Sequence, residues 1–180
     1  MTKVLIPYGT AEGQTVKISE YIAEVIRERG HEAVMSDIKD LSGNFPLEGF
    51  DAAIVGASIH KGRHENYVRD FVKKNREFLE RVPSAFFSVS LTARDHSGEA
   101  QAQTKEYVEK FVEETGWHPD RVGMFAGTLL YSHYGFIKRR LMKKISKDMG
   151  SGDTDTSRDY EYTDWKDVRH FAENFLEEPG

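Results

Sequence analysis

Cysteine is absent from all 180 residues. That excludes disulfides, thiolate-held iron–sulfur clusters, thiolate-rich zinc sites and a cysteine nucleophile, so any redox chemistry has to come from a bound cofactor. Long hydrophobic runs are missing too: no apolar stretch approaches the roughly 20 residues of a membrane span. The opening residues MTKVLIPYGT have too short an apolar run for a secretory h-region and no small-residue cleavage site, so the expected location is the cytoplasm. Charge of one sign is in short supply as well. Thirty acids against 25 bases leave a net charge of -5, which gives no overall reason to expect nucleic acid as a partner. The length suits one domain spanning residues 1–180.

What is present is alternation. β-type apolar runs at 3–8, 32–37, 51–57, 84–91 and 121–130 are separated by helical periodicity at 14–29, 64–81, 99–115, 134–149 and 164–177. Gly30 stands where a helix C-cap glycine belongs, and Pro83 separates a helix from a strand. Strand–helix alternation predicts an α/β fold with a parallel sheet covered on both faces. Five strands suit a doubly wound sheet of order 2-1-3-4-5, in which ligands bind beyond the carboxyl ends of the strands. The loops after strands one, three, four and five are therefore the ones to inspect.

The loop after strand one reads YGTAEGQT at residues 8–15. No lysine follows Gly13, which removes the Walker pattern, and Gly9 and Gly13 lack the third glycine of a dinucleotide fingerprint. What remains is a turn with hydroxyls at Thr10 and Thr15 and free N–H groups at a helix start, a setting for a terminal phosphate. The alternative is a plain helix cap.

This loop resembles the FMN-phosphate loop of flavodoxins, except that Glu12 stands where many of them carry a second hydroxyl. The resemblance extends along nearly the full chain to the menaquinone-dependent protoporphyrinogen IX dehydrogenases. It is carried by VGASIHKGRH at 55–64, FVKK at 71–74, PSAFFSVSLTAR at 83–94, GWHPDRV at 116–122 and MGSGDTDTSRDYEYTDW at 149–165. It implies a flavodoxin-like fold and FMN held by Thr10, Ala11, Glu12, Gly13, Gln14 and Thr15. A second loop, Ser58, Ile59, His60, Lys61 and Gly62, would line the flavin ring. A third, Ser90, Leu91, Thr92, Ala93 and Arg94, would meet its pyrimidine end, and Asp155 and Thr156 would return the chain toward it. The third loop has no Tyr or Trp to stack on the ring, leaving one face for a substrate or for cover by Tyr131, Tyr134 or Phe136. The spacing of Asp153 and Asp155 is too sparse for a metal site.

His60, His64 and His96 are the candidate proton acceptors, with a solvated loop histidine as the alternative for His60 and His64 and a bulk base able to serve instead of all three. Between residues 131 and 163 the chain carries an insertion with a basic amphipathic run. Lys138, Arg139, Arg140, Lys143 and Lys144 could face substrate carboxylates or an anionic membrane surface, or the run could simply pack on the domain. The expectation is FMN-dependent oxidation of protoporphyrinogen IX with a quinone as acceptor, peripheral at the inner face of the cell membrane. An electron carrier of the flavodoxin type and an NAD(P)H:quinone reductase are the rivals. Oligomeric state stays open.

Overall fold

A computed structural model describes residues 1–10, 13–41, 43, 45–60, 62–129 and 160–177. Its strands are β1 (Lys3–Gly9), β2 (Glu32–Asp37), β3 (Ala52–His60), β4 (Arg63–His64), β5 (Ser84–Ser90), β6 (Arg121–Ala126), β7 (Thr128–Leu129) and β8 (Tyr160–Glu161). Its helices are α1 (Gln14–Glu28), α2 (Asn66–Lys74), α3 (Arg76–Arg81), α4 (Gly98–Thr115) and α5 (Trp165–Leu176). The parallel strands run in the order β2-β1-β3-β5-β6, the expected doubly wound arrangement once the short β4 is set aside.

The near-continuous apolar strands follow from burial on both faces. Successive residues alternate sides: Val4, Ile6, Ala85 and Phe87 join a core under α1 and α5. Leu5, Ala53, Val55 and Phe86 face the other core, with Val68, Phe111 and Trp117 of the α2–α4 side. Two glycines are dictated by space. A Cβ at Gly9 would lie 2.3 Å from Val68 Cγ2, so the end of β1 accepts α2 only as glycine, and a Cβ at Gly56 would strike the Phe87 ring at 2.1 Å.

Three boundaries differ from the sequence expectation. The helix expected over 64–81 is preceded by a hairpin that takes Arg63 and His64 into β4, and it breaks at Asn75 into α2 and α3. Asn75 has non-helical dihedrals, and its side-chain amide donates to the Phe71 carbonyl at 2.9 Å, competing with the helical ladder. The strand expected over 121–130 stops at Ala126. Beyond Gly127 the chain leaves the sheet and pairs as β7 with β8, antiparallel, Thr128 opposite Glu161. Periodicity sees neither event, because one is a local side-chain bond and the other a pairing across more than thirty positions. The helix expected over 134–149 lies outside the described residues.

Candidate functional site

Parallel register sets the level of the site. Gly9 pairs with Ala57, and Ser58 with Val89, so the loops after β1, β3 and β5 emerge together at the carboxyl edge of the sheet.

The first loop is a turn into α1. Gly13 N–H donates to Thr10 Oγ1 at 2.8 Å, and Gly13 itself has φ +86°, a left-handed conformation that glycine takes without strain. Helix α1 begins without a side-chain cap and with no acid in its first turn, leaving its leading N–H groups for an anion. Thr15 adds the sharper sign. It is fully buried, and its hydroxyl has no hydrogen-bond partner among the described residues. A buried hydroxyl without a partner is costly unless a ligand completes it. Gln14 is buried as well, but its side chain is turned elsewhere: Nε2 donates to Glu161 Oε1 and to Thr163 Oγ1, both at 2.8 Å. What Gln14 can still offer a ligand is its backbone. Ala11 and Glu12 lie outside the described residues.

The second loop is a hairpin. Ile59 opposes His64 and His60 opposes Arg63, with Gly62 at φ +79° in the turn; Lys61 lies outside the described residues. Ser58, Ile59 and His60 are half-buried along the rising arm. His64 is not in the cleft. It is 3% exposed, its Nε2 is 2.8 Å from Ser88 Oγ, and its ring meets Phe86 and Phe111 edge-on at 5.3 and 5.0 Å. Burial, reinforced by the Arg69 guanidinium, pushes its pKa down to about 3. The expectation of His64 as a proton acceptor is corrected accordingly: a neutral ring sealed among aromatics meets no substrate. Arg69 Nη1 donates to the His64 carbonyl at 2.8 Å and Nε reaches Glu114 Oε2 at 3.1 Å; Asn66 accepts from the same guanidinium.

The third loop turns tightly. Ala93 N–H donates to Ser90 Oγ at 3.3 Å, Thr92–Arg94 form a 3-10 turn, and the Ser90 carbonyl accepts from Gly127 N–H at 3.1 Å. Leu91 to Arg94 are half-buried, whereas His96 is exposed. The Arg94 guanidinium lies 4.8 Å over the Tyr162 ring. Tyr162 belongs to a segment, 160–163, that falls within the family-like run 149–165 but was given no site role from the sequence. Thr163 Oγ1 donates to the Ala126 carbonyl at 2.7 Å, and Tyr162 N–H to Gly127 at 3.1 Å. This returning segment thus ties the α1 start, the third loop and the end of β6 together. Its contacts are distant in sequence, so the run 149–165 marks the segment without saying what it touches. Asp155, Thr156, Lys138, Arg139, Arg140, Lys143 and Lys144 lie outside the described residues.

A doubly wound sheet with an anion-ready turn at its first crossover defines the flavodoxin class of α/β proteins. A family model described as a flavodoxin domain matches residues 5–157. Solved structures with this arrangement include oxidised flavodoxin 1 from Bacillus cereus, at 16% identity and TM-score 0.58 over 99% of this chain and 100% of that one. A flavodoxin from Streptococcus pneumoniae, at 15% identity and TM-score 0.54, covers 97% of each. The chain is also 38% identical to protoporphyrinogen IX dehydrogenase [quinone] of Escherichia coli K12, over 94% of this chain and 92% of that protein. The protein of the same name from Leishmania major is 38% identical over 98% of this chain and 76% of its own length. The chain belongs to the flavodoxin-domain family, in the branch of these protoporphyrinogen IX dehydrogenases. No helix among the described residues is long and apolar enough to cross a membrane.

Proposed function

We propose that this protein is an FMN-dependent oxidoreductase that oxidises protoporphyrinogen IX to protoporphyrin IX and delivers the electrons to a quinone. The relatives that share 38% identity over 94% of the chain bear that activity in their name. Within the molecule, the observation that carries the cofactor is the orphaned, buried Thr15 hydroxyl at the uncapped start of α1. A terminal phosphate would complete that hydroxyl and accept from the α1 N–H groups. When bound, FMN supplies the exchange of electrons between donor and acceptor.

The chain's own part is to hold and shape. Thr10, Gly13 and Thr15 would hold the phosphate, the hairpin residues Ser58 to His60 and Gly62 would flank the ring, and Ser90 to Arg94 would offer it backbone groups. Of the three histidines, His60 and His96 remain within reach of solvent at the site's edge and are the proposed acceptors of substrate protons. The basic residues Lys138, Arg139, Arg140, Lys143 and Lys144 are proposed to meet an anionic membrane surface, which would bring a lipid-soluble acceptor close. Wild-type protein that never sediments with anionic vesicles would remove that element alone.

The deciding experiment is anaerobic. FMN-loaded protein is mixed with protoporphyrinogen IX, following flavin absorbance and porphyrin fluorescence with and without a menaquinone analogue. Bleaching of the flavin followed by quinone-dependent porphyrin formation is the expected result. A flavin that stays oxidised with this donor yet bleaches rapidly with NADH or NADPH would replace the reading with a nicotinamide-driven quinone reductase.

A further inference from the structure

A cavity of about 410 Å³ opens beside the third loop, between the start of α4, the end of β6 and the amino end of α5. Of the residues expected to hold the cofactor, Ala93 and Arg94 line it, and none of the described residues of the first two loops does. It therefore lies on the far flank of the third loop from the phosphate cradle and the hairpin. The sheet edge explains why there is room. β6 ends the strand order, and on its α4-facing side Val122 and Met124 stand 41% and 43% exposed, large apolar side chains without cover from the described residues.

The lining describes its ligand. Met124, Phe125 and Ala126 form an apolar floor, while the Arg94 guanidinium stacked on Tyr162 makes a flat polar wall. Arg94, Lys105 and Gln101 can donate hydrogen bonds. Among the described lining residues the charges nearly cancel: Arg94 and Lys105 stand against Asp95, Asp164 and Asp167. Two of those acids are already engaged, Asp95 with Ser97 N–H at 2.8 Å and Asp164 with Lys166 N–H at 3.0 Å. A near-neutral rim suits an uncharged ligand rather than a dicarboxylate. The volume sits in the lower part of the roughly 300–1,000 Å³ range of small-molecule sites, room for a fused two-ring head and not for a tetrapyrrole with its propionates.

We infer that this cavity is the seat of the quinone headgroup, its carbonyl oxygens accepting from the Arg94 and Lys105 side and its ring lying against the end of β6 at Met124. The inference rests on the function proposed above and adds to it a place, separate from that of the porphyrinogen, for the acceptor. There the quinone takes up two electrons and two protons and leaves as the quinol, while the reduced cofactor returns to its oxidised form. A donor and an acceptor seated on different flanks would not have to exchange through one opening.

The test uses FMN-loaded, oxidised protein titrated calorimetrically with menadione, a soluble two-ring quinone. Wild type should show one saturable site. Met124→Trp, which fills the cavity from an exposed position, should weaken it by roughly tenfold or more, and Val122→Trp, on the same strand face but outside the cavity, should leave it unchanged. In parallel, reoxidation of the dithionite-reduced protein should slow with menadione in Met124→Trp while its reoxidation by ferricyanide stays as in wild type. No saturable binding in wild type, equal affinity in Met124→Trp, or displacement of menadione by protoporphyrin IX would overturn the assignment. A chain that fails to retain FMN would instead overturn the proposed function, at the loading step and before any quinone is added.

Discussion

At the β3–β4 hairpin the chain spends polar groups on rigidity, and at the β6 edge it leaves apolar ones uncovered. His64 is sealed between Phe86 and Phe111, bonded to Ser88, and its carbonyl is held by Arg69, which is in turn braced by Glu114. The other flank has Met124 and Val122 open beside a cavity, bordered by a returning segment that pairs with β7 and is tied to Gln14, Ala126 and Arg94. Buried, fully bonded polar groups specify one geometry, because each alternative leaves a donor or acceptor without water. An edge strand beside a cavity tolerates change. The arrangement fits the two proposals together, a hairpin held still beside the cofactor and a neighbouring flank that admits a ligand.

The comparison breaks most visibly at His64. His64→Ala removes a ring packed on two phenylalanines and leaves Ser88 unbonded, and should cost about 3–5 kcal/mol in urea denaturation. A loss below about 1 kcal/mol would mean the hairpin is not pinned there. Gly9→Ala, which drives a methyl into Val68, should cost about 1–3 kcal/mol on the same assay.

Acid should single out the same flank. His64 has a folded-state pKa near 3 against an ordinary 6.5, so below pH 6.5 the unfolded chain binds a proton that the folded chain refuses. Its contribution is intact above about pH 6.5 and is lost as pH falls toward 3, by up to about 1.4 kcal/mol per pH unit. Thermal melts across that window should show the slope in wild type and a shallower one in His64→Gln; identical slopes would place the titrating group elsewhere.

Thr15→Val sharpens the contrast by changing sign between states. Replacing an unbonded buried hydroxyl with a methyl should stabilise the FMN-free protein by about 1 kcal/mol, and it should weaken FMN binding by roughly tenfold. Fluorescence titration and denaturation of the same variant check both halves. The smallest effect belongs to the open flank: Met124→Ala should change stability by no more than about 0.5 kcal/mol.

Much of the frame was legible beforehand. Strand order followed from alternation, because strands buried on both faces read as unbroken apolar runs, and the first loop followed from Thr10, Gly13 and Thr15 standing between a strand and a helix. The second loop was legible as a place and not as a shape. GRHEN carries no period that separates a two-residue strand from the start of a helix, and the burial of His64 depends on Phe86, Ser88 and Phe111, all more than twenty residues away. Tyr162 and Thr163 were missed for the same reason, since their partners Arg94 and Ala126 lie far up the chain.

By itself the sequence determined the class: periodicity, glycine placement and the absence of cysteine dictate a parallel α/β sheet whose redox chemistry must be borrowed. Tertiary structure alone decided that His64 is core while His60 and His96 are not, that Gln14 turns to Glu161 and Thr163, and that a cavity opens at β6. Local pattern records the spacing of neighbours along one strand or helix. Burial, pKa and cavity shape are set by what other elements bring to the same point, and only the folded chain brings them there.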